Sequence, residues 1–127
     1  MKYFGMRLSA KFSELLFWQK AHQFTLLVYK FTKSFPREEL YGLTSQFRRA
    51  AVSMTANIAE GYTRNGAKDK LRFFNITLSS LEECRYYLIL SHDLGYGEDT
   101  SMNELIDDVG RLLNSYCRSI RTSTSNK

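Results

Sequence analysis

Polar side chains recur along one stretch of the sequence at a spacing that would place them on one side of a helix. The series consists of Arg49, Ser53, Asn57 and Glu60. Residues three or four positions apart lie on the same face of an α-helix. Together with Glu83 from a later segment, Asn57 and Glu60 form the only polar group in the sequence that could be called a catalytic site. A structural network is the simpler interpretation, because a charge in a protein interior persists only when it is paired.

We therefore predict that these polar side chains hold two helices together. Arg49 is expected to pair with Glu83, and Arg85 with Glu60, which would keep the second long helix in register against the third. The predicted structural network comprises Arg49, Ser53, Asn57, Glu60, Glu83 and Arg85.

The other reactive residue types are too sparse to indicate catalysis or metal binding. His22 and His92 fall in different segments, and the sequence has no Cys-x-x-Cys pair, no His-x-x-x-His pair and no glycine-rich loop before a helix. Convergence of Cys84, His92 and Cys117 is the remaining route to a metal site, and buried reduced thiols are the simpler expectation. We predict no catalytic residue, no metal and no cofactor, and hence a protein that is not an enzyme.

Basic residues give a stronger indication of function. Arg64, Lys68, Lys70 and Arg72 stand within nine residues and are opposed there by Asp69 alone. Lysine and arginine bind phosphates by releasing condensed counterions, and an aromatic ring nearby, here Tyr62, can stack on exposed bases. The alternative is an ordinary solvated start of a helix. We predict a nucleic-acid surface without strong sequence preference, with RNA favoured, formed by Arg64, Lys68, Lys70, Arg72, Arg118 and Arg121.

The charge of the whole chain agrees with a polyanionic partner. The 127 residues carry a formal net charge of +5 at pH 7, and this charge is unevenly distributed, since residues 96–110 carry −5 and residues 111–127 carry +4. Such polarity permits binding to a polyanion without requiring it.

The elements that would position these residues are helices. One proline and seven glycines leave little room for an all-β design, and apolar residues recur every three or four positions in four long segments. These patterns predict an all-α, antiparallel up-down-up-down four-helix bundle. The predicted helices span residues 13–33, 43–60, 68–94 and 101–121. We assign residues 1–12 to an N-terminal arm, residues 13–121 to the bundle domain and residues 122–127 to a disordered tail.

The predicted helices have candidate end signals in the sequence. Ser13 is a candidate N-cap of the first helix, and Gly61 is expected to end the second in the left-handed conformation. Gly95 and Gly97 are expected to end the third. The fourth begins with a Ser-x-x-Glu capping box, which spans residues 101–104.

Two of the predicted helices carry more apolar residues than one bundle core needs. A core-facing helix requires about three apolar positions in seven, yet the first and third helices are apolar on more than one face. We therefore expect a second contact surface and self-association. The residues in excess are Phe17, Trp18, Phe73, Tyr86, Tyr87 and Ile89.

The composition is that of a globular domain outside the membrane. Hydrophobic residues make up 43% and charged residues 24% of the chain. No apolar run approaches the roughly 18 residues that span a bilayer, and the first residues lack the apolar segment of a signal peptide. These features predict a cytoplasmic protein.

Several specific motifs lie on the predicted helices. The most specific are Trp18-Gln19-Lys20-Ala21 and Asn57-Ile58-Ala59-Glu60-Gly61, accompanied by Phe35-Pro36, Tyr41-Gly42-Leu43, Arg48-Arg49-Ala50-Ala51-Val52-Ser53 and Ser80-Leu81-x-Glu83. Over about residues 12–95 the chain resembles the four-helix bundle proteins encoded in the intervening sequences of bacterial 23S ribosomal RNA genes.

This resemblance implies a cytosolic bacterial homo-oligomer, typically a pentamer. The chain is also similar in fold to the accessory proteins that partner reverse transcriptases in diversity-generating retroelements, which are basic and bind nucleic acid. Two functions remain open, ahead of a disfavoured third, an enzyme that acts through Glu60 and Asn57. One is a ring-shaped homo-oligomer that binds nucleic acid through basic patches, and the other is an oligomeric scaffold that binds a protein such as a reverse transcriptase.

Overall fold

A computed structural model describes residues 10–125 of the chain, with side chains described for residues 12–124. Residues 1–9, which make up most of the predicted N-terminal arm, lie outside the described residues. The last part of that arm forms a short helix, α1 (Ala10–Ser13).

Four long helices follow, as the amphipathic patterns predict. They are α2 (Leu16–Thr32), α3 (Leu43–Thr63), α4 (Ala67–Asp93) and α5 (Thr100–Ser125). A single 3₁₀ turn, Arg37–Glu39, follows Pro36 in the connection between α2 and α3. No strand occurs between residues 10 and 125. The predicted all-α four-helix fold is confirmed.

Contacts between neighbouring helices show that adjacent helices run in opposite directions. The pairs that show it are Thr25–Thr55 and Thr32–Arg48 for α2 and α3, Ser53–Ser80 and Gly61–Phe74 for α3 and α4, Leu81–Gly110 and Phe74–Tyr116 for α4 and α5, and Lys20–Asp108 and Phe17–Tyr116 for α2 and α5. The C-terminal ends of α3 and α5 therefore lie at the same end of the bundle as the N-terminal ends of α2 and α4.

One apolar stripe from each long helix forms the core. Phe24, Phe47, Phe74 and Ile106 are fully buried in it, and burial of one such side chain contributes about 1.5–3 kcal/mol. None of the described helices combines the length and the apolar character needed to cross a membrane. The core series predicted for the fourth helix is buried or packs against the core, and it consists of Met102, Leu105, Ile106, Val109, Leu112, Leu113, Tyr116 and Ile120.

The starts of α2 and α5 differ from the prediction. Ser13 does not cap α2, because it ends α1, and Leu15 precedes α2 without a side-chain cap. At α5 the cap is Asp99, whose Oδ1 accepts hydrogen bonds from the backbone N–H groups of Ser101 at 2.9 Å and of Met102 at 3.3 Å. The predicted capping box is therefore wrong. A carboxylate is an equally good N-cap, and its charge also suits the positive end of the helix dipole.

Gly61 does not end α3, which continues to Thr63. Among the described residues, positive φ angles occur at Gly95 (80°) and Gly97 (133°), which follow α4 as predicted. Gly61 is instead a buried helical residue that faces α4, where an added Cβ would lie 2.6 Å from Phe74 Cε1. The close approach of two helices, rather than a left-handed turn, requires glycine here.

The end of α5 also differs from the prediction. The helix continues through Ser125, so residues 122–125 are helical and not part of a disordered tail. The rest of that predicted tail, residues 126–127, lies outside the described residues.

Candidate nucleic-acid interface

The residues of the predicted polar network do not form one cluster. Within the described part of the chain, neither the pair Arg49–Glu83 nor the pair Arg85–Glu60 is formed, so both predicted pairings are wrong. Arg49, Glu60 and Glu83 are exposed, and Glu60 accepts a hydrogen bond from Arg64 one turn later, at 2.8 Å. This side of α3 faces solvent. Water therefore hydrates the charged groups that the helical spacing predicts to be paired.

Two residues of the predicted network do make polar contacts at the junction of α3 and α4. Ser53 Oγ lies 3.0 Å from Ser80 Oγ on α4, and Asn57 Nδ2 donates a hydrogen bond to the backbone oxygen of Ser53 at 2.8 Å. None of these three side chains titrates near neutral pH. The contacts therefore support helix packing and offer no acid or base.

Acidic residues of α5 are the actual partners of basic residues on the neighbouring helices. Arg85 on α4 donates hydrogen bonds to Asp107 and, at 3.1 Å, to Glu82, and the bond to Asp107 raises the pKa of the Arg85 guanidinium. Lys20 on α2 reaches Asp108 at 2.9 Å and lowers the pKa of that carboxyl. Part of the acidic patch predicted from the sequence thus joins α5 to both helices beside it.

At the predicted nucleic-acid surface, two arginines lie over one aromatic ring. The guanidinium carbons of Arg64 and Arg72 are 4.4 Å and 4.5 Å from the centroid of the Phe73 ring. Asp69 accepts a hydrogen bond from Arg72 at 2.9 Å and lies 3.9 Å from Arg64. Stacking and ion pairing restrict the rotamers of both arginines. Their remaining N–H groups are therefore preorganised to meet an anion.

The two lysines of this surface have different environments. Lys70 Nζ donates hydrogen bonds to the backbone oxygens of Tyr62, at 2.6 Å, and Gly61, at 3.4 Å. It thereby contributes to capping the last turn of α3, where the Gly61 oxygen also accepts a hydrogen bond from the backbone N–H of Arg64 at 3.2 Å. Partial burial lowers the pKa of the Lys70 ammonium group. Lys68 is exposed and forms no ion pair with any residue in the range 12–124.

The predicted residues Arg118 and Arg121 are exposed on the last turns of α5. Neither arginine forms an ion pair with any residue in the range 12–124, and the antiparallel arrangement places this end of α5 at the same end of the bundle as the start of α4. We call this the basic end, and it carries Arg64, Lys68, Lys70, Arg72, Arg118 and Arg121. The opposite end, which we call the acidic end, carries Glu38, Glu39, Asp93, Glu98 and Asp99, with Lys30, Lys33 and Arg37 among them.

A cleft of about 510 Å³ lies at the basic end, between the α3–α4 connection, α5 and the residues that precede α2. Tyr116 is held in its wall by the rings of Phe17 and Phe74, whose centroids are 5.3 Å and 5.7 Å from its own. Burial raises the pKa of the Tyr116 phenol. We call this feature the aromatic cleft, and it is lined by Phe12, Tyr62, Thr63, Arg64, Asn65, Lys70 and Tyr116.

The sequence alone does not place Phe12 and Tyr116 in a site with the basic cluster. Phe12 precedes the first long helix, and the apolar pattern of the last helix predicts that Tyr116 is a core residue. The sequence indicates their proximity only once the fold is known, because both aromatic residues lie near helix ends that an antiparallel bundle brings together.

Two groups of exposed apolar side chains lie on different sides of the bundle. One is a groove between α2 and α3, which we call the α2–α3 groove, formed by Tyr29, Leu40, Tyr41 and Val52 beside Arg48 and Arg49. The other, the α4 face, consists of Tyr86, Ile89 and Leu94 with Glu82 and Glu83. Tyr41 is 90% exposed, an unusual state for a tyrosine with no further role.

The prediction of excess apolar residues is correct for Tyr86 and Ile89, each of which is 55% exposed. It is wrong for Phe17 and Trp18, because both are buried in the core of the single chain. Tyr87 packs against that core. The sixth residue, Phe73, is covered by the two arginines.

The cysteine and histidine side chains considered for a metal site are not brought together. Cys84 and Cys117 are buried free thiols, and burial raises the pKa of Cys84 to about 12. His92 is exposed, with Nδ1 3.2 Å from Asp93 and Nε2 3.7 Å from Glu98. No group of three or more metal-binding side chains converges within the part of the chain that the structure describes.

Comparison with known proteins adds one finding. The sequence matches the family model described as 23S rRNA-intervening sequence protein over residues 13–116. This span includes α2, α3 and α4 and most of α5. The comparison with curated proteins found no match.

Proposed function

The chain belongs to the family of 23S rRNA-intervening sequence proteins, and on that premise we propose that it is a non-enzymatic protein that assembles into a ring-shaped homo-oligomer and binds nucleic acid. Structured RNA is the favoured partner, a pentamer is the favoured assembly, and the basic end is the binding surface.

The observation that carries this proposal is the separation of charge along the bundle. Cationic side chains from the α3–α4 connection, the start of α4 and the end of α5 lie at one end, whereas the acidic residues of the α4–α5 connection lie at the other. The six cationic side chains of the basic end outnumber Glu60 and Asp69, the carboxylates that pair with Arg64 and Arg72. The excess of positive charge attracts phosphates over a distance of about 10 Å at moderate salt.

The arrangement of Arg64 and Arg72 adds specificity for phosphate. A guanidinium presents two parallel N–H groups that match two phosphate oxygens. Because the Phe73 ring and Asp69 already restrict both side chains, binding costs less conformational entropy than it would for free arginines. The proposal does not depend on Lys70, whose ammonium group is already engaged by α3.

The self-association part of the proposal is supported by two exposed surfaces of complementary chemistry. The α2–α3 groove combines apolar side chains with Arg48 and Arg49, and the α4 face combines apolar side chains with Glu82 and Glu83. Contact between two different surfaces of identical chains is heterologous, and such contacts close into rings when the rotation permits. A ring would repeat the basic end around one axis and multiply its phosphate contacts.

Fluorescence anisotropy with a labelled RNA stem-loop tests the binding surface. The test variant replaces Lys68, Arg118 and Arg121 with glutamine. The matched control replaces Lys30, Lys33 and Arg37, which are also exposed but lie towards the acidic end. Both variants lose three positive charges. We expect the first to weaken binding by about tenfold or more and the second to have a much smaller effect.

Equal losses in the two variants would show that overall charge, and not the basic end, governs binding. Absence of binding by the wild-type protein at low salt would overturn the nucleic-acid function. The α2–α3 groove would then favour the second candidate function, an oligomeric scaffold that binds a protein such as a reverse transcriptase.

A further inference from the structure

We propose that the aromatic cleft binds one unpaired nucleobase of an RNA loop, while Arg64 and Lys70 at its rim face the adjoining phosphate. This inference depends on the proposed nucleic-acid function and names the part of the RNA that the basic end recognises.

The walls of the cleft offer aromatic surface that is already held in place. Phe12, Tyr62 and Tyr116 are each half-buried. The Phe12 ring packs edge-on against Trp18 at 5.2 Å, and Tyr116 is wedged against Phe17. Rings with fixed rotamers lose little entropy when a base stacks on them, and stacking tolerates any base because each has a π-face.

The size of the cleft agrees with this occupant. At about 510 Å³ it lies within the range of about 300–1,000 Å³ found for small-molecule sites. A paired base cannot enter such a cleft, because both of its faces are covered by its neighbours in the duplex. An unpaired loop base can turn outward and stack on a protein ring, which is how proteins commonly recognise RNA loops.

Polar groups beside the rings suit the rest of a nucleotide. Lys70 Nζ lies 5.3 Å from the centroid of the Tyr62 ring and uses two of its N–H groups on backbone oxygens, which leaves a third donor. Arg64 Nε is buried 3.9 Å from Asp69 Oδ2, and Nη2 donates a hydrogen bond to Glu60 at 2.8 Å, so the Nη1 group is the part of the guanidinium that can meet a phosphate oxygen. The exposed Asn65 side chain carries both a donor and an acceptor for the edge of a base.

The charges at the rim also argue against an apolar ligand. A lipid chain or an apolar small molecule in this cleft would remove water from the remaining N–H groups of Arg64 and Lys70 without supplying an acceptor, which is unfavourable. A nucleotide brings its own phosphate and avoids this cost.

Three labelled RNA hairpins of equal length and equal phosphate number test the proposal. The first has an ordinary loop, the second has the same loop with abasic sites, and the third continues the base-paired stem and closes it with a minimal abasic linker. Binding is measured by anisotropy for the wild-type protein, for Tyr62→Leu and Tyr62→Phe, and for Phe12→Leu and Tyr116→Leu. Each leucine variant removes one ring of the cleft, whereas Tyr62→Phe retains the ring. Thermal melts and sedimentation establish that the variants keep the wild-type fold and assembly.

We expect the wild-type protein to bind the ordinary loop about 5- to 100-fold more tightly than the abasic loop or the extended stem. Tyr62→Leu should reduce this preference while leaving affinity for the extended stem unchanged, and Tyr62→Phe should retain it. The comparison of ordinary and abasic loops in the wild-type protein needs no variant, so it decides the matter even if Tyr62→Leu fails to fold.

Equal affinity of the wild-type protein for all three hairpins would overturn the proposal for the cleft and leave the basic end as a general phosphate-binding surface. A preference that is undiminished in each of the variants Phe12→Leu, Tyr62→Leu and Tyr116→Leu would also overturn it, because the base would then stack outside the cleft. Failure to bind any of the three hairpins at low salt would overturn both this inference and the proposed nucleic-acid function.

Discussion

Gly61 on α3 faces the ring of Phe74 on α4 so closely that a Cβ at position 61 would lie 2.6 Å from Cε1 and 2.9 Å from Cδ1 of that ring. Both residues are buried. Their contact sets the separation of the two helices directly below the α3–α4 connection. It therefore supports the position of Tyr62 and of the aromatic cleft.

We expect Gly61→Ala to lower the free energy of unfolding by about 1–3 kcal/mol, because the Phe74 ring cannot leave its place without displacing its neighbours. The ring packs against Tyr116 at 5.7 Å, so the added methyl group disturbs the cleft as well. Urea unfolding followed by circular dichroism measures the change. Unaltered or increased stability would show that the ring moves aside at no cost.

Gly110 on α5 provides the matched comparison, since it is also a buried helical glycine. A Cβ there would lie 3.6 Å from Leu81 Cδ1 and 3.7 Å from Arg85 Nη2, which are ordinary contact distances. Gly110→Ala should therefore raise the free energy of unfolding by about 0.5–1 kcal/mol through better helix propensity. A destabilised Gly110→Ala protein in the same urea experiment would contradict this account of the two glycines.

Glu39 links the start of α3 to the α4–α5 connection, and this link should depend on pH. Its Oε1 accepts a hydrogen bond from the backbone N–H of Leu43 at 3.1 Å, and its Oε2 accepts one from the Tyr96 hydroxyl at 2.8 Å. These bonds favour the carboxylate and lower the pKa of Glu39. The stabilisation is therefore present above the unfolded-state pKa of about 4.3 and is lost as pH falls through the lower folded-state pKa.

We accordingly expect Glu39→Gln to be less stable than the wild-type protein at pH 7, with a difference that shrinks as the pH falls below about 4. Thermal melting of both proteins across this pH range measures it. A difference that stays constant down to pH 3 would show that the ionisation of Glu39 contributes nothing to stability.

The proposed contact between the α2–α3 groove and the α4 face predicts the behaviour of two charge reversals. The wild-type protein should sediment as a multiple of its 14.8 kDa chain mass. Arg49→Glu and Glu83→Arg should each weaken the assembly, because each places like charges across the contact. The double variant should recover assembly, since opposite charges again face each other. Ser115→Glu, which changes an exposed residue of α5, serves as the control.

A wild-type protein that sediments as a monomer at micromolar concentration would contradict self-association altogether. An assembly that tolerates both single reversals would place the contact on other surfaces.

Much of the fold could be predicted because apolar residues recur at a regular helical spacing along the sequence. The recurrence of Met102, Ile106, Val109 and Leu113 at helical spacing places them on one face, and all four are buried. The two glycines after α4 likewise carry the positive φ angles that a helix end favours. In both cases the physical requirement is local, so neighbouring residues in the chain suffice to reveal it.

Several of the errors concern partners that come from elsewhere in the fold. Arg85 pairs with Asp107 and not with Glu60, because a modest rotation of a helix about its axis decides which charged groups meet. Gly61 resembles a helix end in the sequence, but its role depends on Phe74 of another helix. The start of α5 offers two adequate N-caps within three residues, and propensity alone does not choose between them.

The candidate site also combines features that the sequence reveals with contacts that depend on the fold. The basic cluster around Lys68 is visible in the sequence, but its pairing is not, since Lys70 is engaged by the end of α3 and Arg72 is paired with Asp69. The cleft depends on Phe12 and Tyr116, which are far apart in the chain. Only the antiparallel topology brings such residues to one end of the bundle.

The salt dependence of RNA binding shows whether the basic end holds phosphates. Affinity for a labelled ribosomal RNA stem-loop is measured between about 50 and 200 mM salt for the wild-type protein and for the variant in which Lys68, Arg118 and Arg121 are replaced by glutamine. If the basic end of an assembled ring makes about six to ten phosphate contacts, wild-type affinity should fall by about 10³–10⁵ over this range, and the variant should show a shallower slope. Binding with no salt dependence, or no binding at the lowest salt concentration, would contradict a nucleic-acid function for the basic end.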